Sequence, residues 1–324
     1  MRKIKIKYLD WWNGFNPKTY LINQILEKHY EVEVSDNPDY VFCSVYSKDF
    51  LEYDCVRILY TAENFCPDFN LFDYAIGFDR LSFEDRYIWF PNYLMNPKYE
   101  KDLELLKCKH TDEQIEKKPK SEFCSFVVSN GVGSQMRVRF FELLNHYKTV
   151  NSGGKYLNNI GLPQGVDDKF DFQVKHKFSI AFENSSHRGY CTEKIVEAFA
   201  AGTIPIYWGD PCVTEIFNER AMVIVKDEIH FEEAIEQIIE INENDNLYMQ
   251  MLREPALVNQ NFFEESYKDI EKFLCSIIET PLPEARKRTE IPLAKSYYKN
   301  FEEDGDSKRA KEGRKWFIFS KKFI

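Results

Sequence analysis

Residues 178–209 read FSIAFENSSHRGYCTEKIVEAFAAGTIPIYWG, and their pattern decides the architecture. The first part alternates and is rich in β-formers, the middle is polar with small residues, and apolar residues return at helical spacing at Ile195, Ala198, Phe199 and Ala201 before Gly202. A second β-like run, Thr203 to Trp208, follows after one glycine. The stretch is therefore a strand, a polar loop, a helix and a strand, joined by a parallel crossover. Ligands of such units bind beyond the carboxyl end of the strand, where the helix starts. That place carries Glu183, Asn184, His187, Arg188, Tyr190, Thr192, Glu193 and Lys194. An exposed helix start favours an anion by roughly 0.3–1 kcal/mol. A lysine in the first turn works against the helix dipole, so a bound anion explains Lys194 better than helix stability does. Glu193 also suits a first turn as a plain complement to the dipole, and Tyr190 also suits a core position.

Upstream, KIKIKYL (residues 3–9) alternates basic and apolar side chains as a strand does. A helix with Tyr20, Leu21, Ile25 and Leu26 on one face follows, then short strands near 31–34, 40–45 and 56–60. This order predicts an α/β unit with a mainly parallel sheet. The charged stretch from Lys109 to Lys120 lacks an apolar face and reads as a linker. A second α/β unit opens with the strand Phe123 to Val128, a glycine turn through Ser129, Asn130, Gly131 and Gly133, and a helix from about Ser134 to Tyr147 with Arg137 near its start. Val150 to Lys155 is another strand end running into a glycine turn. In a parallel sheet these loops and the one after residue 182 converge on one edge. Beyond Pro211 the pattern predicts a short helix, a strand at 221–225 and helices near 230–243, 245–253 and 262–278. The division is thus 1–116, 117–280 and a charged tail, 281–324.

The chain of 324 residues, 44% of them hydrophobic, has material for two ordinary domains. No apolar run approaches the roughly eighteen residues of a membrane span. MRKIKIKYLDWW at the N-terminus lacks the apolar block of a signal peptide, so a cytoplasmic location is expected. Cys43, Cys55, Cys66, Cys108, Cys124, Cys191, Cys212 and Cys275 form no CxxC pair, which suits reduced thiols rather than a disulfide framework. A net charge of −10 argues against nucleic acid as a partner. The tail from Pro281 instead carries twelve Lys/Arg against seven Asp/Glu. Its last part, residues 308–324, mixes basic residues with Trp316, Phe317, Ile318, Phe319 and Phe323, as segments that lie on anionic membranes do, so peripheral membrane contact is expected there.

FENSSHRGYCTEK followed by IPIYWGDP resembles the donor-binding signature of the α-1,3/4-fucosyltransferases that use GDP-fucose, glycosyltransferase family 10, and most of all its bacterial members. LYTAEN (59–64) and CPDFNLFDYAIGFDRLSFEDRYIWFP (66–91) are similar to the same family. The resemblance implies a GT-B fold, two Rossmann-like domains facing a cleft. It implies that Arg137, in SNGVGSQMRVRFFELLN, contacts the diphosphate with Lys194, that Glu193 holds the ribose, and that Asn184 and Tyr190 complete the donor site. Glu63 matches the family's proposed base, although Ala62 stands where the family usually has glycine. Catalytic roles then fall to Glu63, Arg137 and Lys194. The chemistry fits: a leaving diphosphate needs positive charge, and an acceptor hydroxyl must lose a proton. The sole Asp-x-Asp pair, Asp304-Gly305-Asp306, sits in the charged tail away from any strand end, so no metal and no cofactor is expected. The expected function is inverting α-1,3-fucosyl transfer, with α-1,4 transfer left open, from GDP-fucose to β-galactoside or N-acetyllactosamine-type glycans. A GT-B transferase of another nucleotide sugar and a noncatalytic glycan-binding relative are the alternatives.

Overall fold

Alternation makes Arg2–Leu9 (β1) a strand in which Ile4 and Ile6 are buried while Lys3 stays exposed and pairs with Glu33. In the computed structural model, which describes residues 1–107, 120–129 and 131–289, β1 lies between Tyr30–Val34 (β2) and Tyr40–Cys43 (β3). Val56–Tyr60 (β4), Tyr74–Gly77 (β5) and Tyr87–Trp89 (β6) complete the sheet in the order β2-β1-β3-β4-β5-β6, every pairing parallel. Every residue of β3, β4 and β5 is buried, as in parallel sheets covered on both faces. β5 and β6 have four and three residues, too few for a period to be read against their polar neighbours.

The second sheet has Glu122–Phe126 (β7), Val150–Ser152 (β8), His176–Phe182 (β9), Ile204–Trp208 (β10) and Val223–Ile224 (β11), ordered β11-β10-β9-β7-β8 and again parallel throughout. Phe182 pairs with Trp208 at the carboxyl end of the central strands. The strand order reverses between β1 and β3 in one sheet and between β7 and β9 in the other. Such switch points open a crevice at the carboxyl edge.

Leu21–His29 (α1), Asn92–Met95 (α2) and Glu100–Lys107 (α3) belong to the first unit. Met136–Tyr147 (α4), Lys169–Gln173 (α5), Glu193–Ala200 (α6), Phe231–Glu243 (α7) and Asp245–Arg253 (α8) follow. The eight-residue α6 is too short to be stable alone. It is held because Ile195, Val196, Ala198 and Phe199 enter a core that also contains Leu103 and Leu106 of α3 and Tyr93 and Leu94 of α2. The helix that begins at the donor-type loop is therefore clamped by both units.

Phe262–Glu279 (α9), within the stretch 117–280, packs back on the first unit. It buries Ile270, Phe273, Leu274, Ile277 and Ile278 in the core built around Ile4, Tyr40 and Tyr74 of the first sheet. Each such side chain contributes about 1.5–3 kcal/mol of transfer free energy. Exposed ion pairs such as Lys28–Glu271 at 2.8 Å add only ~0–1 kcal/mol, so the apolar face, not the charges, brings the helix back. After Leu282–Ala285 (α10), the amides of Lys287 and Arg288 donate to Asp73 Oδ1 at 2.7 and 2.8 Å, and Arg288 pairs with the fully buried Asp73 carboxylate. Asp73 precedes β5, so this strap lies at the sheet edge away from the cleft. Residues 109–119 of the linker, Asn130, Cys108, Asp304–Asp306 and the basic-aromatic segment 308–324 lie outside the described residues. Among the described residues no helix is long and apolar enough to cross a membrane, and the seven cysteines there are unpaired.

Gly189 sets how closely the two units approach. Its φ is +91°, and a Cβ there would stand 1.9 Å from the Phe78 carbonyl oxygen of the first unit. Gly189→Ala is expected to lower stability by roughly 2 kcal/mol or more, from backbone strain and from lifting the loop off Phe78. Chemical denaturation measures it; a midpoint equal to that of the unmodified chain would show that the loop yields without cost.

Candidate active site

The carboxyl edges of the two sheets meet. Asn64, after β4, donates to Ser185 Oγ at 2.8 Å, and His187 Nε2 lies 2.5 Å from Asp79 Oδ1, after β5. The Phe78 and Tyr190 rings are 4.8 Å apart. Beside these contacts a cavity of about 290 Å³ remains open. Its first wall is Trp12, Tyr20, Tyr46, Ala62 and Glu63, with Asn92 and Asn96; its second is Asn184, Tyr190, Thr192, Glu193 and Lys194. Trp12 follows β1 and Tyr46 follows β3, so both stand at the switch point of the first sheet.

Glu63 is exposed on the loop after β4. Its backbone is pinned by Thr61, whose hydroxyl accepts from the Glu63 amide at 3.2 Å and donates to the Glu63 carbonyl at 3.0 Å. The Tyr46 hydroxyl donates to Glu63 Oε1 at 3.0 Å. Among the described residues one carboxylate oxygen is engaged and the other is not, and a carboxylate so placed, facing open space, is a competent proton acceptor.

Glu183, the residue after β9, is fully buried. It accepts from the Thr192 amide at 2.7 Å, the Thr192 hydroxyl at 2.6 Å and Lys194 Nζ at 3.0 Å. Burial pushes the Glu183 carboxyl above the usual carboxylate range, while Lys194 and the two Thr192 donors act against that rise and favour the ionised form. Lys194 also donates to Thr192 Oγ1 at 2.8 Å and lies 3.4 Å from Glu193 Oε1. Burial alone would lower the Lys194 pKa, but the Glu183 and Glu193 carboxylates outweigh it and hold the ammonium charged well above the usual lysine range. The lysine in the first turn of α6 thus already has a counter-charge within the chain, which the sequence pattern did not reveal. Thr192, at the N-cap, makes no side-chain cap because its hydroxyl serves Glu183. Glu193 lines the cavity, and although burial opposes it, Lys194 and Lys169 hold its carboxyl below the usual range.

Arg137 enters α4 in the first turn and is 3% exposed. It does not line the cavity; its Nη1 donates to Asn184 Oδ1 at 2.9 Å and its Nη2 to the Val132 carbonyl. Burial lowers its pKa without threatening its charge. Gly133, at φ +123°, leaves room for this, since a Cβ there would be 2.8 Å from Nη2. Arg137 and Asn184 therefore form one unit at the β7/β9 switch point, through which the arginine reaches the cavity. Tyr190 is buried yet presents atoms to the cavity, so its core and site readings both hold. Trp12 lines the cavity, whereas Trp11 is stacked on Phe15 at 3.9 Å and Trp89 lies under the Arg80 guanidinium at 4.1 Å. Tyr46, Asn92 and Asn96 carry no motif; the four-residue spacing of the two asparagines is the one signal that could have marked the latter two. Among the described residues no cluster of His, Cys, Asp and Glu forms a metal centre.

Two parallel α/β sheets whose carboxyl edges enclose one polar cleft, a carboxylate on one wall and a cationic helix start on the other, define a GT-B-type transferase architecture. Residues 6–96 match the family model for the α-(1,3)-fucosyltransferase FucT N-terminal domain, and residues 117–294 that for the glycosyltransferase family 10 (fucosyltransferase) C-terminal part. The chain belongs to glycosyltransferase family 10, the fucosyltransferases. It is 35% identical over 318 residues to the α-(1,3)-fucosyltransferase FucT of Helicobacter pylori, an alignment covering 85% of this chain and 66% of that protein. It is 27% identical over 241 residues to a putative fucosyltransferase of Acanthamoeba polyphaga mimivirus, covering 70% of this chain and 38% of that one. A crystal structure of α1,3-fucosyltransferase with GDP-fucose superposes with a TM-score of 0.70 at 30% identity, over 87% of this chain and 93% of that one. The same enzyme class with GDP gives 0.71 at 31% identity, covering 89% and 93%.

Proposed function

We propose that the protein transfers L-fucose from GDP-fucose, with inversion, to O3 of the N-acetylglucosamine of N-acetyllactosamine-type glycans. The observation that supports it is Glu63 on one wall of the cavity, opposite Asn184, Tyr190, Glu193 and Lys194 on the other. In this reading Glu63 takes the proton of the acceptor hydroxyl, whose oxygen bonds to the anomeric carbon as the bond to the diphosphate breaks. The β-linked donor becomes an α-fucoside in that single displacement. GDP leaves into the field of Lys194 and of the α6 N-terminus, with Arg137 acting through Asn184. The weakest of the three Lys194 contacts is the 3.4 Å one to Glu193. A diphosphate oxygen replaces it at least cost, and the freed Glu193 carboxylate turns to the ribose hydroxyls. Positive charge supplied by side chains lets the reaction run without a metal.

The test is incubation with GDP-fucose and N-acetyllactosamine, with and without EDTA. The expected result is acceptor-dependent GDP release, unchanged by the chelator. Release no faster than donor hydrolysis across several β-galactoside acceptors would reject the function, and loss in EDTA would reject metal independence.

A further inference from the structure

We propose that Tyr46 is the positioning residue of the general base, fixing the Glu63 carboxylate through its Oε1 so that Oε2 meets the acceptor hydroxyl. This rests on the reading of Glu63 as base. The Thr61 contacts hold only the Glu63 backbone, and among the described residues the Tyr46 hydroxyl is the sole group hydrogen-bonded to its side chain. Without it an exposed glutamate would rotate freely, at a side-chain entropy of about 1.5–2 kcal/mol.

Tyr46 is itself held from the neighbouring strand. Its amide donates to the Asp10 carbonyl at 3.1 Å, and the Asp10 carboxylate accepts from the Asp49 and Phe50 amides at 3.0 and 3.1 Å. The Tyr46 ring meets Trp12 edge-on, centroids 6.1 Å apart. These contacts tie the phenol to the loops after β1 and β3, the switch point of the sheet, while Glu63 rides on the loop after β4. Partial burial, with Glu63 beside it, pushes the phenol pKa well above the usual tyrosine value. Tyr46 therefore remains a donor and does not compete as a base. The proton of the acceptor hydroxyl passes to Oε2, the O–H pair forms the new C–O bond, and the electron pair of the broken bond leaves with GDP.

Tyr46→Phe deletes one oxygen from a ring 49% exposed, which leaves folding intact. The expected result is a kcat lower by roughly tenfold or more with a donor KM within twofold. A kcat equal to that of the unmodified enzyme would overturn the proposal. In the double variant with Glu63→Gln, the loss should not exceed that of Glu63→Gln alone; additive losses would show that Tyr46 acts elsewhere. Full turnover by Glu63→Gln would remove the base and this proposal with it while leaving fucosyl transfer standing. No transfer by the unmodified enzyme would overturn both.

Discussion

Glu63→Gln lowers kcat by roughly 10²–10⁴-fold, the span that a positioned general base supplies, while GDP affinity stays within about twofold. The amide has the shape of the carboxylate, and its carbonyl oxygen still accepts from Tyr46, so the wall of the cavity keeps its form. What is lost is the basic oxygen that takes the acceptor proton. GDP binding survives because the groups assigned to the donor stand on the other wall, on loops after β7 and β9. Steady-state turnover beside calorimetric titration with GDP separates the two quantities. Retained turnover would remove Glu63 as the base, and a large loss of GDP affinity would show that the first wall also grips the nucleotide.

Lys194→Ala has two consequences that must appear together. GDP binding weakens by roughly 10–100-fold, since a hydrogen bond to a charged group contributes about 1.5–3 kcal/mol. The chain also becomes less stable by about 3–5 kcal/mol, because Glu183 is left buried with no counter-charge. The lysine would otherwise be read as serving the ligand alone. Its two short contacts, 3.0 Å to Glu183 and 2.8 Å to Thr192, are internal, and only the third direction points to the cavity side of Glu193. Calorimetry with GDP and chemical denaturation measure the two effects. Unchanged GDP affinity would reject the anion site, and unchanged stability would reject the buried pair.

The sequence alone determined the two parallel α/β units, because alternation in KIKIKYL and strand-loop-helix-strand spacing in residues 178–209 are local patterns of side-chain polarity. It also placed Glu63, Asn184, Glu193 and Lys194 at strand ends, where a parallel sheet gathers its loops. What it could not contain is which loops face each other. The Tyr46–Glu63 bond spans neighbouring strands in a register set by β3/β4 pairing, and the buried Glu183 under Lys194 follows from how the loop of residues 183–192 closes on itself. The return of α9 to the first sheet was likewise decided by tertiary structure. Its apolar stripe reads as a buried face in any context, and only the complementary surface around Ile4, Tyr40 and Tyr74 selects which core it joins. Hydrophobic burial carries no direction along the chain, so the pattern names the face and the packing names the partner.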